Sequence, residues 1–124
     1  MLAQLFGVIF GLTAVILGAF GAHALKKKFT EDQQDSFETG VRYQFYHALV
    51  LLIAGFAQTA GLIEPGAYTW LFISGTVLFS FSIYGLCLSG AFGTKWRFLG
   101  PVTPLGGLLL VAGWLSLLSE ILTT

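Results

Sequence analysis

The hydrophobic and polar positions of the chain fall into long blocks, and the charged residues mark where the blocks end. Four runs contain no Asp, Glu, Lys or Arg: 1–25, 43–63, 65–94 and 98–119. A helix that crosses about 30 Å of hydrocarbon needs about 20 residues, so each run is long enough for one crossing. Lipid offers no hydrogen-bond partners to the backbone, so each run is expected to be helical. The pattern predicts transmembrane helices near 2–24, 42–62, 68–90 and 101–121.

The longest connection follows the first run and contains the signature of a helix start. Thr30 supplies a capping hydroxyl, acids follow in the first turn, and Gln33 lies three residues further on. We predict a short helix near 31–39 that lies on the membrane surface, with Gly40 turning the chain into the next crossing. The predicted fold is an all-α integral membrane protein. It is a four-transmembrane-helix bundle with a short interfacial helix between helices 1 and 2, in a single membrane domain over 1–124.

Composition narrows the class of protein further. The chain is 56% hydrophobic and 10% charged, whereas soluble domains carry about 25% charged residues. This excludes a soluble enzyme, a nucleic-acid binder and a disordered chain, and the zero net charge provides no field that would recruit a polyanion. Cys87 is the one cysteine. It permits neither an internal disulfide nor a cysteine metal cluster, and we interpret it as an inert small hydrophobe.

The basic residues predict the orientation of the chain. The segment Ala22-His23-Ala24 resembles a signal-peptidase site, but the basic residues follow the first run instead of preceding it, which indicates a retained helix. All six basic residues lie in or beside the first and third connections: Lys26, Lys27, Lys28, Arg42, Lys95 and Arg97. That side is expected to be cytoplasmic, with both termini on the outer side of the membrane. All of these residues except Arg42 are expected to contact lipid headgroups.

Small residues recur on one face of helices 1, 3 and 4. In lipid, such faces let helices approach closely, and that contact replaces the missing hydrophobic drive. Each face is expected to pack on another helix, within the chain or across a symmetric oligomer. The residues that we assign to helix packing are Gly7, Gly11, Gly18, Gly75, Ser82, Gly106 and Gly113. At the start of helix 4, Thr103 either caps a helix that begins at Pro104 or lies inside one that begins at Pro101.

Helix 2 differs because polar residues lie along one stripe, and polar groups at membrane depth should face protein or a water-filled cavity. We predict one polar cluster near the cytoplasmic face, in which Glu38 or Asp35 pairs with Arg42. The cluster comprises His23, Glu38, Arg42, Tyr43, Gln44, Tyr46, His47 and Gln58. In a structural interpretation, these side chains hydrogen-bond backbone carbonyls and each other and fix helix register. In a functional one, they relay protons, bind a metal or line a small-solute pocket.

Neither a metal site nor a catalytic site is expected from these residue types. Two histidines and one nearby carboxylate are too few ligands for a metal. There is no phosphate-binding glycine loop, no nucleophile elbow and no nucleophile–base pair. We therefore predict no cofactor and no enzymatic activity.

Three segments of the chain resemble a known family. They read GAFGAHAL at 18–25, TGVRYQFYHAL at 39–49 and FLGPVTPLGG at 98–107. They are similar to the domain-of-unknown-function family 423, which is related to transmembrane protein 256. The resemblance implies a small multi-pass membrane protein, placed in the inner membrane in bacteria, without an established activity. The signature of the family falls on His23, Arg42, Tyr43, Gln44, His47, Thr103 and Pro104.

Two functions remain open at this stage. In the first, the chain is a structural, interaction or assembly subunit that packs through glycine-rich helix faces, as a homo-oligomer or with a membrane-protein partner among the lipids. In the second, it is a conduit or carrier for a small solute or a proton that uses the His/Gln/Arg cluster. A hydrated cavity lined by Gln44, His47 and Gln58 would favour the conduit, and a dry, tightly packed centre would favour the subunit.

Overall fold

The computed structural model covers residues 1–124 and consists of helices without any strand. The four helices are α1 (Leu2–Ala22), α2 (Glu31–Thr59), α3 (Ala67–Phe92) and α4 (Val102–Thr123). A π-helical turn, Val77–Phe81, interrupts α3, and a 3₁₀ turn, Arg97–Leu99, precedes α4. The predicted first, third and fourth helices agree with the observed ones to within two residues at each end.

The predicted surface helix near 31–39 is wrong as a separate element. The capping box at its start is present, since Thr30 Oγ1 accepts a hydrogen bond from the Gln33 N–H and the Thr30 N–H donates to Gln33 Oε1. The helix that begins there continues without a break to Thr59. Gly40 is not a turn. Its missing side chain admits the Tyr84 ring, because a Cβ at Gly40 would lie 2.8 Å from Tyr84 Cε1.

In two of the three helical hairpins, glycines let the paired helices approach closely. In the α1–α2 hairpin, a Cβ at Gly7 would lie 2.9 Å from the Ala48 carbonyl oxygen. In the α3–α4 hairpin, a Cβ at Gly106 would overlap the backbone nitrogen of Phe79, inside the π-helical turn. Side chains of any size would separate these backbones, so the glycines set the distance between the helices.

The residues predicted to pack helices therefore do so inside the chain. Gly7, Gly11 and Gly18 of α1 face α2, while Gly75 of α3 and Gly106 and Gly113 of α4 lie in the α3–α4 contact. Ser82 faces Thr103 across the same contact, with 2.6 Å between the two hydroxyl oxygens. Thr103 lies inside a helix that begins at Val102, which settles the alternative left open by the sequence.

Consecutive helices are antiparallel, so the connections alternate between the two ends of the molecule. Gln4 of α1 reaches Gly55 near the end of α2, and Tyr84 near the end of α3 reaches back to Gln44 of α2. At the end that holds both termini, Glu120 of α4 accepts a hydrogen bond from the backbone N–H of Glu64. One end of the molecule thus carries the first and third connections, and the other carries the second connection with both termini.

Three helical segments are long and apolar enough to cross a membrane: Leu2–Ala22, Ala67–Phe92 and Arg97–Thr123. Their outer faces expose large aliphatic side chains, such as Leu12 and Val15 of α1. The helix α2 is not among the three because it carries polar residues along its length. One face of it is buried against the other helices, with Leu51 and Gln44 fully enclosed, while the opposite face exposes large side chains such as Ile53 and Phe56.

Candidate functional site

Gln44 is the centre of a hydrogen-bonded network that joins three helices. Its side-chain nitrogen donates to the Phe10 carbonyl at 2.9 Å and to Thr13 Oγ1 at 2.6 Å, both on α1. Its side-chain oxygen accepts from the Tyr84 hydroxyl of α3 at 2.6 Å. One turn away, the Ser80 hydroxyl donates to the Gly40 carbonyl at 2.7 Å. These bonds satisfy polar groups that would otherwise be costly in an apolar interior.

His47 has partners on both ring nitrogens. Nδ1 lies 2.7 Å from the Tyr43 carbonyl oxygen, and the Trp114 indole N–H of α4 points to Nε2 at 3.2 Å. A carbonyl only accepts and an indole only donates, so these partners fix the neutral tautomer with its hydrogen on Nδ1. The ring also packs against Phe72. His47 therefore ties α4 to α2 at a level where the two backbones do not touch closely.

Gln58 belongs to a different level of the molecule. It lies 14 residues beyond Gln44, which is about 21 Å along the helix axis, and its side-chain nitrogen donates to the Tyr68 hydroxyl at 2.8 Å. Nearby, the Gln4 side chain donates to the Gly55 carbonyl at 2.9 Å and to Thr59 Oγ1 at 3.0 Å. The end that holds the termini thus has its own cluster of hydrogen-bonded polar side chains. The sequence analysis had merged this cluster with the one around Gln44.

His23 also lies apart from the predicted cluster. It caps the end of α1, and the neighbouring Gly21 packs against Phe37. His47 lies ten residues beyond Phe37, or about 15 Å along α2. The predicted equal depth of the two histidines is therefore not observed.

Arg42 is exposed and unpaired, contrary to the predicted ion pair. No carboxylate lies within 4.0 Å of its guanidinium, and Glu38 instead accepts a hydrogen bond from the Gln34 side chain at 3.2 Å. Tyr43 and Tyr46 are also partly exposed, with their rings 5.7 Å apart. Of the eight predicted cluster residues, the structure groups Tyr43, Gln44, Tyr46 and His47 on one stretch of α2, places Glu38 and Arg42 beside one cleft, and separates His23 and Gln58 from both groups.

Arg42 lines two small clefts between α1 and α2. One, of about 250 Å³, is bordered by Ala14, Val15, Val41 and Phe45. The other, of about 230 Å³, lies one turn nearer the connection and is bordered by Gly18, Gly21, Phe37, Glu38 and Val41. The clefts exist because α1 presents small residues there, and both open at the surface of the bundle.

A larger cavity of about 540 Å³ opens between α2, α3 and α4 at the basic end of the molecule. From α2 it is lined by Asp32, Ser36 and Thr39, which share one helix face. Lys95 and Thr103 line it from the other side. The side chains of Asp32, Ser36 and Lys95 have no hydrogen-bond partner in the chain, so this cavity presents one acid, one base and a free hydroxyl.

Sequence analysis missed the partners of the polar residues. Tyr84 and Trp114 contact Gln44 and His47, and Thr13 completes the network from α1. The only available signal was that a polar side chain at membrane depth needs a partner, which does not identify the facing helix. The structure contains no group of three or more His, Cys, Asp and Glu side chains placed to hold a metal ion.

Comparisons with known proteins agree with one another. Residues 17–107 match the family described as protein of unknown function (DUF423). A UPF0382 membrane protein of Staphylococcus haemolyticus is 41% identical over 90% of this chain and 88% of its own length. The UPF0382 membrane protein YwdK of Bacillus subtilis is 39% identical over 90% and 88%. One from Schizosaccharomyces pombe is 39% identical over 87% and 91%. No solved structure matches the chain.

Proposed function

The chain belongs to the DUF423 family of membrane proteins, and we propose that it crosses the bacterial plasma membrane four times as a structural, interaction or assembly subunit. The crossing by α2 is supported by its position. It lies against α1 over most of the length of that helix and contacts α3 through Gln44 and Tyr84. The side chains of Gln44, His47 and Gln58 are bonded within the chain, so the hydrocarbon would not meet them, and the exposed Arg42 lies near the basic end.

The orientation follows from charge. Lys26, Lys27, Lys28, Lys95 and Arg97 lie at the end of the bundle that carries the first and third connections. Under the positive-inside rule this end faces the cytoplasm, and both termini face outward. The first ten residues of α2 would then stand at the cytoplasmic headgroup level as an extension of the transmembrane helix.

The observation that carries the subunit proposal is that the polar atoms of Gln44 and His47 form hydrogen bonds within the chain. Gln44 is 0% exposed, and both nitrogens of His47 are bonded. A proton or solute path would need these polar groups to face water, whereas their burial and their bonds to neighbouring helices favour a fixed helix register. The proposal includes no catalytic step.

Association with a second copy or another membrane protein would use the outer faces of the bundle. The glycine faces that the sequence analysis assigned to packing are in contact within the chain, with Gly18 also bordering an open cleft. The exposed apolar side chains of α1 and α4 remain for a partner, among them Val8, Leu12, Leu108, Val111 and Leu115.

The experiment that separates a subunit from a conduit uses His47→Leu, which removes both hydrogen bonds of the ring. We expect the variant to melt at a lower temperature in detergent, while proteoliposomes that contain it pass protons at the same rate as those with the parent protein. An internal pH-sensitive dye measures the flux. Native mass spectrometry in mild detergent measures the size of the complex. Unchanged melting with a lost proton flux would contradict the subunit proposal.

A second candidate function, binding of a small polar solute, is supported by the 540 Å³ cavity. Asp32 and Lys95 would meet opposite charges of a zwitterion, and Ser36 would supply a hydroxyl. In this version of the carrier hypothesis, the solute would bind in the cavity at the basic end of the molecule and not at the His/Gln/Arg cluster. Its test is the uptake of radiolabelled glycine into proteoliposomes, with Asp32→Asn as the variant that should abolish uptake if the candidate is correct.

A further inference from the structure

We propose that Arg42 holds the phosphodiester of a membrane phospholipid and that one acyl chain of this lipid lies in the cleft between α1 and α2. The inference requires that α2 crosses the membrane beside α1, as proposed above. The sequence suggested a carboxylate partner for Arg42, and the structure leaves the guanidinium without one. The phosphate would be the missing partner.

At the depth of Arg42, a guanidinium without an anionic partner has an unfavourable free energy. The adjacent Val41 packs on Gly18, which is four residues, or about 6 Å, before the last residue of α1, Ala22. A cation at this depth extends toward the headgroups and seeks an anion, because the hydrocarbon does not solvate it. Its planar donors match two phosphate oxygens, which is a stronger contact than a lysine makes.

The clefts on either side of Arg42 supply the rest of the site. The deeper one is bordered by apolar groups of Ala14, Val15, Val41 and Phe45, and it continues from the guanidinium toward the centre of the bilayer. An acyl chain fits that chemistry, and a free phosphate ion does not need it. The shallower cleft is bordered by Glu38 as well as Arg42, and the negative charge of Glu38 disfavours an anion inside that cleft.

Charge complementarity and an adjoining apolar cleft together therefore identify the occupant as a phospholipid. The three lysines of the first connection also attract anionic headgroups, but they are exposed and border neither of the two clefts beside Arg42. Their effect should be diffuse and salt-sensitive. The proposed site should instead retain one lipid through purification.

The test measures lipid that stays bound. The protein is purified in detergent with added dioleoylphosphatidylglycerol, and native mass spectrometry counts the lipid-bound fraction. We expect Arg42→Gln to lower the affinity about tenfold or more, as expected for the loss of a charge-assisted bidentate contact. Arg42→Lys should bind with intermediate affinity, and a variant with Lys26, Lys27 and Lys28 changed to Gln should keep the high-affinity lipid.

A second pair of variants keeps the proposal testable if Arg42→Gln does not fold. Val15→Trp fills the cleft while leaving Arg42 intact, and Leu12→Trp places the same ring elsewhere on the exposed face of α1. Val15 is 63% and Leu12 61% exposed, so neither ring has to enter the packed interior, but only Val15 borders the cleft. We expect Val15→Trp to lose the lipid and Leu12→Trp to retain it. Equal retention by both variants would overturn the proposal.

Two further outcomes would also overturn it. If glycerol 3-phosphate or inorganic phosphate displaces the lipid as effectively as phosphatidylglycerol does, the site recognises a free anion. If Arg42→Gln retains lipid and the triple lysine variant loses it, the lysines hold it. Failure of the lipid site is distinguishable from failure of the α2 crossing, because cysteine accessibility at the two ends of α2 reports on the crossing alone.

Discussion

Gln44 is the residue on which the interior of this protein most depends. Its amide is fully buried and joins α1, α2 and α3 through bonds to Phe10, Thr13 and Tyr84. An amide has two donors and two acceptor sites, so one side chain can connect several helices where a hydroxyl connects two. The polar stripe on α2 made Gln44 predictable as an inward-facing residue. Its partners were not, because a helical wheel describes one helix and not what faces it.

Replacing Gln44 should measure the strength of this network. We expect Gln44→Leu to destabilise the protein by about 1–3 kcal/mol, because it removes the acceptor of the buried Tyr84 hydroxyl and both bonds that Gln44 donates to α1. Tyr84→Phe should cost less, about 0.6–1.7 kcal/mol, since it removes one bond at membrane depth. Reversible unfolding in mixed micelles measures both values. If the losses of the two single variants simply add in the double variant, the proposed coupling is contradicted.

At the scale of the element, local signals were readable and long-range ones were not. The capping box at Thr30 and Gln33 correctly predicted where α2 begins. The helix break predicted at Gly40 is absent, and α2 continues through this residue. The glycine instead provides space for the Tyr84 ring of α3. The π-helical turn Val77–Phe81 was likewise not predictable from the sequence. It is the part of α3 whose backbone a Cβ at Gly106 of α4 would overlap. A glycine permits both a turn and a close contact, and only the packed structure shows which occurs.

The close approach of α4 to this turn can be tested with two neighbouring glycines. A Cβ at Gly106 would overlap the Phe79 backbone, whereas a Cβ at Gly107 would lie 3.7 Å from the Phe79 ring, an ordinary contact. We expect Gly106→Ala to destabilise by about 1–3 kcal/mol, because the two helices must separate. Gly107→Ala should be neutral or stabilise by about 0.4–1 kcal/mol through the unfolded chain.

Thermal melting in one detergent compares the two glycine variants directly. Because both changes add the same methyl group to the same helix, helix propensity cancels in the comparison and only the contact differs. Equal melting temperatures would mean that α4 does not touch the π-helical turn as described.

At the scale of the molecule, the spacing of charges carried most of the information that the sequence held. The charge-free runs located the apolar helices, and their alternation with short connections implied antiparallel neighbours, which the structure has. The division of the polar residues into separate levels was not predictable, because it depends on how far α2 slides along α1. Gly7 and Gly18 set that register through their contacts with Ala48 and Val41, three or four residues on either side of Gln44.

The four-span arrangement is tested by the two ends of α2. Single cysteines at Lys27, Ala60 and Thr124, in a Cys87→Ala background, are all placed at exposed positions. If α2 crosses and the positive-inside rule holds, an impermeant maleimide should label positions 60 and 124 on intact spheroplasts and position 27 only after permeabilisation. The same labelling at 27 and 60 would mean that α2 lies in one leaflet, because no other connection separates those positions. Labelling at 27 alone would keep four crossings but invert the orientation, since all three reporters would have exchanged sides together.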